Sequence, residues 1–467
     1  MQGQEAQKKT GIARRLLILI LTGACCGIAA GSACVLFAWL TGFCDDTFRA
    51  HDRLLFILPA AGLLIAALYQ WKEKEGELSM NGLFRTARGE ETASIWIVPL
   101  IALSTCLAYL FGGSVGRVGS AMQIGGGLSM WLGSRMQKLG SRMQKPGSRM
   151  QKPGSRMQKP DEGDPEAAAP QKPPVDMQLF FACGIACGFT GILNAPLAGA
   201  VFGVELLVLK GRQWIYLLPT LIASFITWGI SRLAGDIYVD FHHPLTGGVT
   251  EPGTTSDIAA AVSLAQTGLN GEVLLKVAVI SVAAMLAGRI YCLSRRFTAA
   301  GFERIASPWI RVLVGTGLVI CVTLLIGNTD QNGIGFDYVD LALDGRSAML
   351  AFLWKLVLTV LTLGCGIRGG EIAPTIFIGA TSCFAAGCLI GLDPSLAASL
   401  GIVGALASVT NCPIAIWIYG LEAICLSPEM ALYFGMAVCA AHFLSGTGGL
   451  YAEQPAQEQW LKPKNIR

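Results

Sequence analysis

The chain has 467 residues, of which 53% are hydrophobic and 14% charged, with a mean hydropathy of +0.54. A soluble domain carries about 25% charged residues, so a water-soluble globule is excluded, and a formal net charge of +4 gives no sign of a nucleic-acid partner. Apolar runs recur along nearly the whole length, which points to one large membrane unit rather than a string of soluble domains.

The chain opens on Lys8, Lys9, Arg14 and Arg15, ahead of an apolar run from Leu16 to about Leu40. That run is too long for the apolar core of a signal peptide and lacks a clean cleavage site. It predicts a tail over 1–15 followed by a retained first membrane segment. Further apolar segments lie at 54–71, 93–111, 119–132, 177–209, 213–233, 273–293, 310–326, 348–365, 373–393, 397–425 and 429–446. Crossing the hydrocarbon takes about twenty apolar residues, so 119–132 and the glycine-broken stretch 363–380 read as partial helices. Broken helices are tolerated at membrane depth only where their loose backbone lines a cavity or is covered by protein. The expected fold class is an all-α polytopic membrane protein of the transporter kind.

Residues 133–169 form a low-complexity insert. Gly-Ser-Arg-Met-Gln-Lys followed by Leu or Pro occurs at 133–139, 140–146, 147–153 and 154–160, and an acidic, proline-rich stretch with Asp161, Glu162, Asp164 and Glu166 comes next. Heptads with no apolar face bury nothing, so the insert reads as a solvated loop. Its basic residues place it in the cytoplasm, as do those of the amino-terminal tail, Arg295, Arg296 and Arg304 in the loop after 293, and Lys462, Lys464 and Arg467 in the closing tail 452–467. The loop 236–272, with Asp236, Asp240, Glu251 and Asp257, and the loop 327–347, with Asp330, Asp337, Asp340 and Asp344, are then external. Lys355, in an apolar helix, is expected to snorkel.

A longer repeat divides the chain into halves, 16–235 and 273–451. Asn194-Ala195-Pro196-Leu197-Ala198, with Gly203 and Glu205 downstream, is matched at identical spacing by Asn411-Cys412-Pro413-Ile414-Ala415, with Gly420 and Glu422 downstream. Upstream lie glycine turns leading into apolar helices, Gly116 to Gly125 and Gly370 to Gly379. Gly125 precedes Asn194 by 69 positions and Gly379 precedes Asn411 by 32, and the excess of 37 is the length of the insert. Duplicated halves with broken helices are how many transporters build a binding site near the bilayer midplane. Glu205 and Glu422 read as structural carboxylates at the cytoplasmic end or between the halves.

The two glycine turns carry the chemistry. Gly112-Gly113-Ser114-Val115-Gly116-Arg117-Val118-Gly119-Ser120 and Gly366-Ile367-Arg368-Gly369-Gly370-Glu371-Ile372-Ala373-Pro374 each lead directly into a helix. Free backbone N–H groups and the positive end of a helix dipole together favour an anion. Close packing of small residues between helices is the alternative for either turn alone. Glu371 could cap its helix, and Arg117 could attract anions or form a salt bridge within its loop. The fifteen cysteines include no C-x-x-C pair and read as reduced packing residues. Four histidines, no H-E-x-x-H and no G-x-S-x-G elbow in a plausible triad predict neither an enzyme nor a metal or other cofactor, and weigh against a membrane-embedded hydrolase.

These turns, the paired N-x-P-[LI]-A blocks and the closing Phe443-Leu444-Ser445-Gly446-Thr447-Gly448-Gly449-Leu450-Tyr451 resemble the CLC family of chloride channels and proton-coupled anion transporters, over roughly 16–455 apart from the insert. The resemblance implies a homodimer in a lipid bilayer, each subunit with its own pathway between two inverted halves and helix amino termini facing a central dehydrated halide. The Gly-Gly-Glu variant at 369–371 is similar to the bacterial fluoride/proton antiporter branch, which implies a bacterial inner membrane. By the same resemblance, Gly116, Arg117, Gly119, Gly370 and Ile372 are anion-binding positions, Met80 or Asn81 stands in for the family's central-site loop, and Tyr451 matches a tyrosine facing the inner anion site.

One departure matters most. Val118 occupies the position of the family's gating glutamate, and Leu206 that of the inner proton-relay glutamate of chloride/proton exchangers. The expected function is therefore passive or weakly proton-coupled movement of chloride or fluoride. The alternatives are fluoride/proton antiport through Glu371, or a transport-inactive scaffold.

Overall fold

The computed structural model describes residues 2–72, 77–92, 94–143, 176–207, 213–235, 270–424, 427–446 and 449–454. Their regular structure is helical, with no strand. The first half holds α1 (Gln2–Ala50), α2 (Leu58–Lys72), α3 (Met80–Arg88), α4 (Ile97–Leu110), α5 (Val118–Met143), α6 (Met177–Leu193), α7 (Pro196–Glu205) and α8 (Leu217–Leu233). The second half holds α9 (Gly271–Glu303), α10 (Pro308–Ile326), α11 (Phe336–Leu343), α12 (Ala351–Gly364), α13 (Ile372–Ile390), α14 (Pro394–Thr410), α15 (Pro413–Tyr419) and α16 (Pro428–Leu444). Among the described residues, six helical stretches are long and apolar enough to cross a membrane, and seven shorter apolar helices accompany them.

The duplication is visible in the packing. In the first half α1 packs on α6 and α8, and in the second α9 packs on α14 and α16. In each half the helix after the glycine turn meets its neighbour through paired glycines, Gly125 against Gly184 and Gly379 against Gly401, where a Cβ on either partner would strike the other's backbone. Small residues let helix backbones approach closely where lipid offers no hydrophobic drive. The stripe Gly23, Gly27 and Gly31 does the same for α1 against α8.

The apolar segments 177–209 and 397–425 each contain a break, and the repeated motif makes it. Asn194 and Asn411 end α6 and α14 in the left-handed region, at φ 53° and 52°, and Pro196 and Pro413 begin the next helices. Asparagine tolerates that conformation and proline suits the first helical position, so Asn-x-Pro reverses the chain within two residues. The short helices that follow are capped across the halves. The Glu205 carboxylate accepts N–H groups of Ile414 (3.1 Å) and Ala415 (2.8 Å) at the start of α15. Glu422 accepts those of Leu197 (3.0 Å) and Ala198 (2.8 Å) at the start of α7. These are the inter-half carboxylates expected from the repeat.

Several expectations need correcting. The stretch 119–132 is part of a 26-residue helix that runs into the insert, and Gly133 is buried against the Phe180 ring. The first heptad, 133–139, is therefore helix rather than loop; a glycine in place of a side chain is what lets it pack. The helix α1 extends from Gln2 through the basic residues ahead of the apolar span, which begins at Arg15. Arg295 and Arg296 lie within α9 rather than in a loop. Lys355 does not snorkel. It is fully buried, and its Nζ donates to the carbonyls of Gln331 (3.0 Å), Gly333 (2.8 Å) and Ile334 (3.2 Å), which satisfies the three ammonium hydrogens within the protein. The insert from 144 on, the external loop over 236–269 with His242 and His243, residues 447–448 and the tail from 455 lie outside the described residues.

Glu205→Ala leaves two backbone donors at the start of α15 without acceptors, a cost of about 1–3 kcal/mol. Melting of the detergent-solubilised protein should fall clearly for Glu205→Ala and less for Glu422→Ala, whose carboxylate is less buried. Equal melting temperatures for wild type and Glu205→Ala would contradict the cap.

Candidate functional site

The two glycine turns meet each other. Gly116 N–H donates to Gly370 O at 2.7 Å and Gly370 N–H donates to Gly116 O at 2.8 Å, an isolated antiparallel pairing in an otherwise helical molecule. A side chain has no room there: a Cβ on Gly370 would lie 2.6 Å from Gly116 O and 2.8 Å from Gly119 N. The pairing sets the start of α5 beside the start of α13. A helix leaves its first N–H groups without intrahelical acceptors and carries about half a positive charge at that end. Gly116 and Gly370 spend their own N–H groups on each other, so neither has a backbone donor left for an anion.

A cavity of about 720 Å³ opens beside this junction. Of the residues expected at the site, Met80, Asn81, Gly119, Gly370, Glu371 and Tyr451 line it. Gly116, Arg117, Val118 and Ile372 are buried behind the wall and do not. Met80 and Asn81 begin α3, whose start is capped by the Ser79 hydroxyl, an acceptor for Gly82 N–H at 3.4 Å. Tyr451 packs against Phe84 of the same helix, ring centroids 6.0 Å apart. Arg117 makes no salt bridge within its loop among the described residues, and its Nε is buried without a hydrogen-bond partner.

Val118 is the first residue of α5 and is fully buried in apolar packing. Glu371 stands at the N-cap of α13, but its side chain does not cap the helix; it forms an ion pair with Arg295 of α9. The cavity wall also contains Gln123, Arg296, Arg311 and Arg368, which the sequence reading did not select as site residues. The signal for Arg295 and Arg296 was present as adjacent charges at the end of an apolar run, but it was read as a marker of orientation only.

The stretch after Tyr451 is strapped across α3. Arg88 pairs with the Glu453 carboxylate and donates to Glu453 O at 3.0 Å, Glu453 N–H donates to Asn81 Oδ1 at 3.4 Å, and Gln454 Nε2 donates to Thr410 O at 2.9 Å. The hydrogen bond from Arg88 holds the Glu453 carboxyl below the usual glutamate range. A lowered folded value means that this contribution is complete above the ordinary pKa of about 4.3 and is lost as pH falls through the lowered value. Acidification below about pH 4 should therefore raise amide hydrogen exchange at 449–454, and Glu453→Gln should show the raised exchange already at neutral pH. Exchange at these amides that is independent of pH and of Glu453 would contradict the strap.

With this geometry in hand, comparison with known proteins is direct. The family model described as voltage gated chloride channel matches residues 61–446. A chloride/fluoride channel protein of Pseudomonas syringae pv. tomato is 26% identical over 430 residues, which is 91% of this chain and 84% of the relative. A voltage-gated ClC-type chloride channel of Shigella flexneri is 27% identical over 256 residues, 52% of this chain and 56% of the relative. Among solved structures, a CLC-type fluoride/proton antiporter superposes with a TM-score of 0.76 at 24% identity, covering 94% of this chain and 98% of that one. A slow cyanobacterial chloride/proton antiporter does so with a TM-score of 0.64 at 16% identity, covering 92% and 93%. At these identities the superpositions speak to the fold. The family model spans most of the chain, and the protein belongs to the CLC family of voltage gated chloride channels.

Proposed function

We propose that this CLC protein moves small halides, fluoride and chloride, down their gradient through the junction of α5 and α13, without obligatory exchange for protons. The observation that carries the uncoupled reading is Val118. At the start of α5 a carboxylate could occupy an anion's place when ionised and leave it when protonated, serving as gate and proton carrier at once. An isopropyl group buried in apolar packing can do neither. The unpaired first-turn amides supply the attraction: partial charges bind a dehydrated anion without the full charge that would trap it. Asn81 and Tyr451 bring polar groups to the cavity wall, and a phenol is a suitable donor to an anion that has shed part of its water. Fluoride enters the reading through the Glu371 turn and through the similarity to the chloride/fluoride channel protein of Pseudomonas syringae.

The reading includes a homodimer in a bacterial inner membrane with both chain ends cytoplasmic. The basic residues on the side where α1 begins support that orientation. Exposed apolar residues on α7, α8, α15 and α16, such as Leu197, Leu218, Ile414 and Leu432, are available to a second copy or to lipid.

Proteoliposome flux decides the matter, read with fluoride and chloride electrodes with and without a pH gradient. The wild type should dissipate a halide gradient at a rate nearly independent of pH and should drive no uphill proton movement. Val118→Glu should become pH-dependent, slower by about tenfold at neutral pH than under acid, as an ionised carboxylate competes for the anion's place. Robust proton pumping by the wild type would refute the uncoupled reading. No halide flux at all would favour the inactive scaffold.

A further inference from the structure

The Glu371 carboxylate is placed to cap α13 and instead crosses to the Arg295 guanidinium of α9. Both line the cavity, with Asn81, Gly119 and Tyr451. Three other arginines share the wall, and each has another engagement. Arg296 Nη2 donates to Gly449 O at 2.7 Å, Arg311 Nη2 donates to Ile305 O at 3.1 Å, and the Arg368 guanidinium lies 5.4 Å from the centroid of the Tyr69 ring. Arg295 differs from them in that its partner is an anionic side chain. Its own side chain is 36% exposed and that of Glu371 only 10%, while the Arg295 Nε that meets the carboxylate is itself buried.

A guanidinium presents a planar set of donors that a carboxylate fills and that another monovalent anion can fill in its place. At the start of α5, a few residues away across the Gly116–Gly370 pairing, the chain offers valine and no competing carboxylate.

We propose that Arg295 is an anion-receiving residue of the pathway: it holds the Glu371 carboxylate when the cavity is empty and exchanges it for a halide that enters. The inference rests on the halide-transport reading above and names the group that receives the ion. The exchange conserves charge at the guanidinium, since one monovalent anion replaces another, and it neither makes nor breaks a covalent bond nor consumes a proton. Glu371 is then a competitor of the transported ion, and its strength sets the apparent affinity.

The test is calorimetric titration of the purified full-length protein with sodium fluoride and with sodium chloride. Glu371→Gln removes the competitor and should tighten halide binding on the order of tenfold, the worth of one charge-assisted contact. Arg295→Gln should weaken binding by a similar factor, and Arg295→Lys should recover part of it. In the double variant the tightening due to Glu371→Gln should vanish, because the donor it frees is gone. Tightening that persists undiminished without Arg295 would overturn the proposal, as would a folded Glu371→Gln protein with unchanged affinity. The second outcome decides even if Arg295→Gln fails to fold. Binding is read here without flux. A protein that bound halide with these shifts but passed none across a bilayer would overturn the transport reading alone, and a transporting protein with unshifted affinities would overturn the exchange alone.

Discussion

Two backbone hydrogen bonds, between Gly116 and Gly370 in both directions, are what the rest of the molecule is arranged to permit. They join the two halves at the point where α5 and α13 begin, and they require that neither residue carry a Cβ. Each helix start then contributes several unpaired N–H groups and a partial positive charge to one place. In a protein interior such groups are costly unless they find an acceptor. In the proposed function a passing halide is an acceptor that can leave again.

The same accounting holds at three other places in the polar interior. The amino ends of α7 and α15 are satisfied permanently, by Glu422 and Glu205 reaching across from the opposite half. Lys355 is buried with three carbonyl acceptors. The starts of α7 and α15 are thus closed by carboxylates from the opposite half, whereas α13 has no side-chain cap although Glu371 stands at its N-cap.

Much of this was legible in the residues. The matched spacing of the Asn-x-Pro blocks marks the duplication, and of the two places expected for Glu205 and Glu422, the cytoplasmic end or between the halves, their hydrogen bonds show the second; the left-handed breaks at Asn194 and Asn411 were not expected. The glycine turns do meet, beside the cavity. What escaped was long-range pairing of charges with no periodic signature: that Glu371 meets Arg295 across α9 and α13, and that Lys355 is held by a loop some twenty residues earlier. Helix ends were also misjudged where composition and packing disagree. Polar heptads read as loop, yet α5 runs on into them because Gly133 fits under the Phe180 ring. Arg295 looked like a loop residue because charge ended an apolar run, whereas α9 continues past it with its basic side chains at the cavity.

Val118 leaves the start of α5 without a titrating side chain, and the proposed function takes this as anion attraction without a proton carrier beside it. The central claim is spatial: the ion sits where the two helix starts converge. Anomalous scattering from crystals soaked in bromide tests it most directly. The account predicts a peak in the cavity within hydrogen-bond reach of the first-turn amides of α5 or α13, beside Gly119 and Glu371. A well-occupied bromide elsewhere in the membrane domain, with that junction empty, would contradict it.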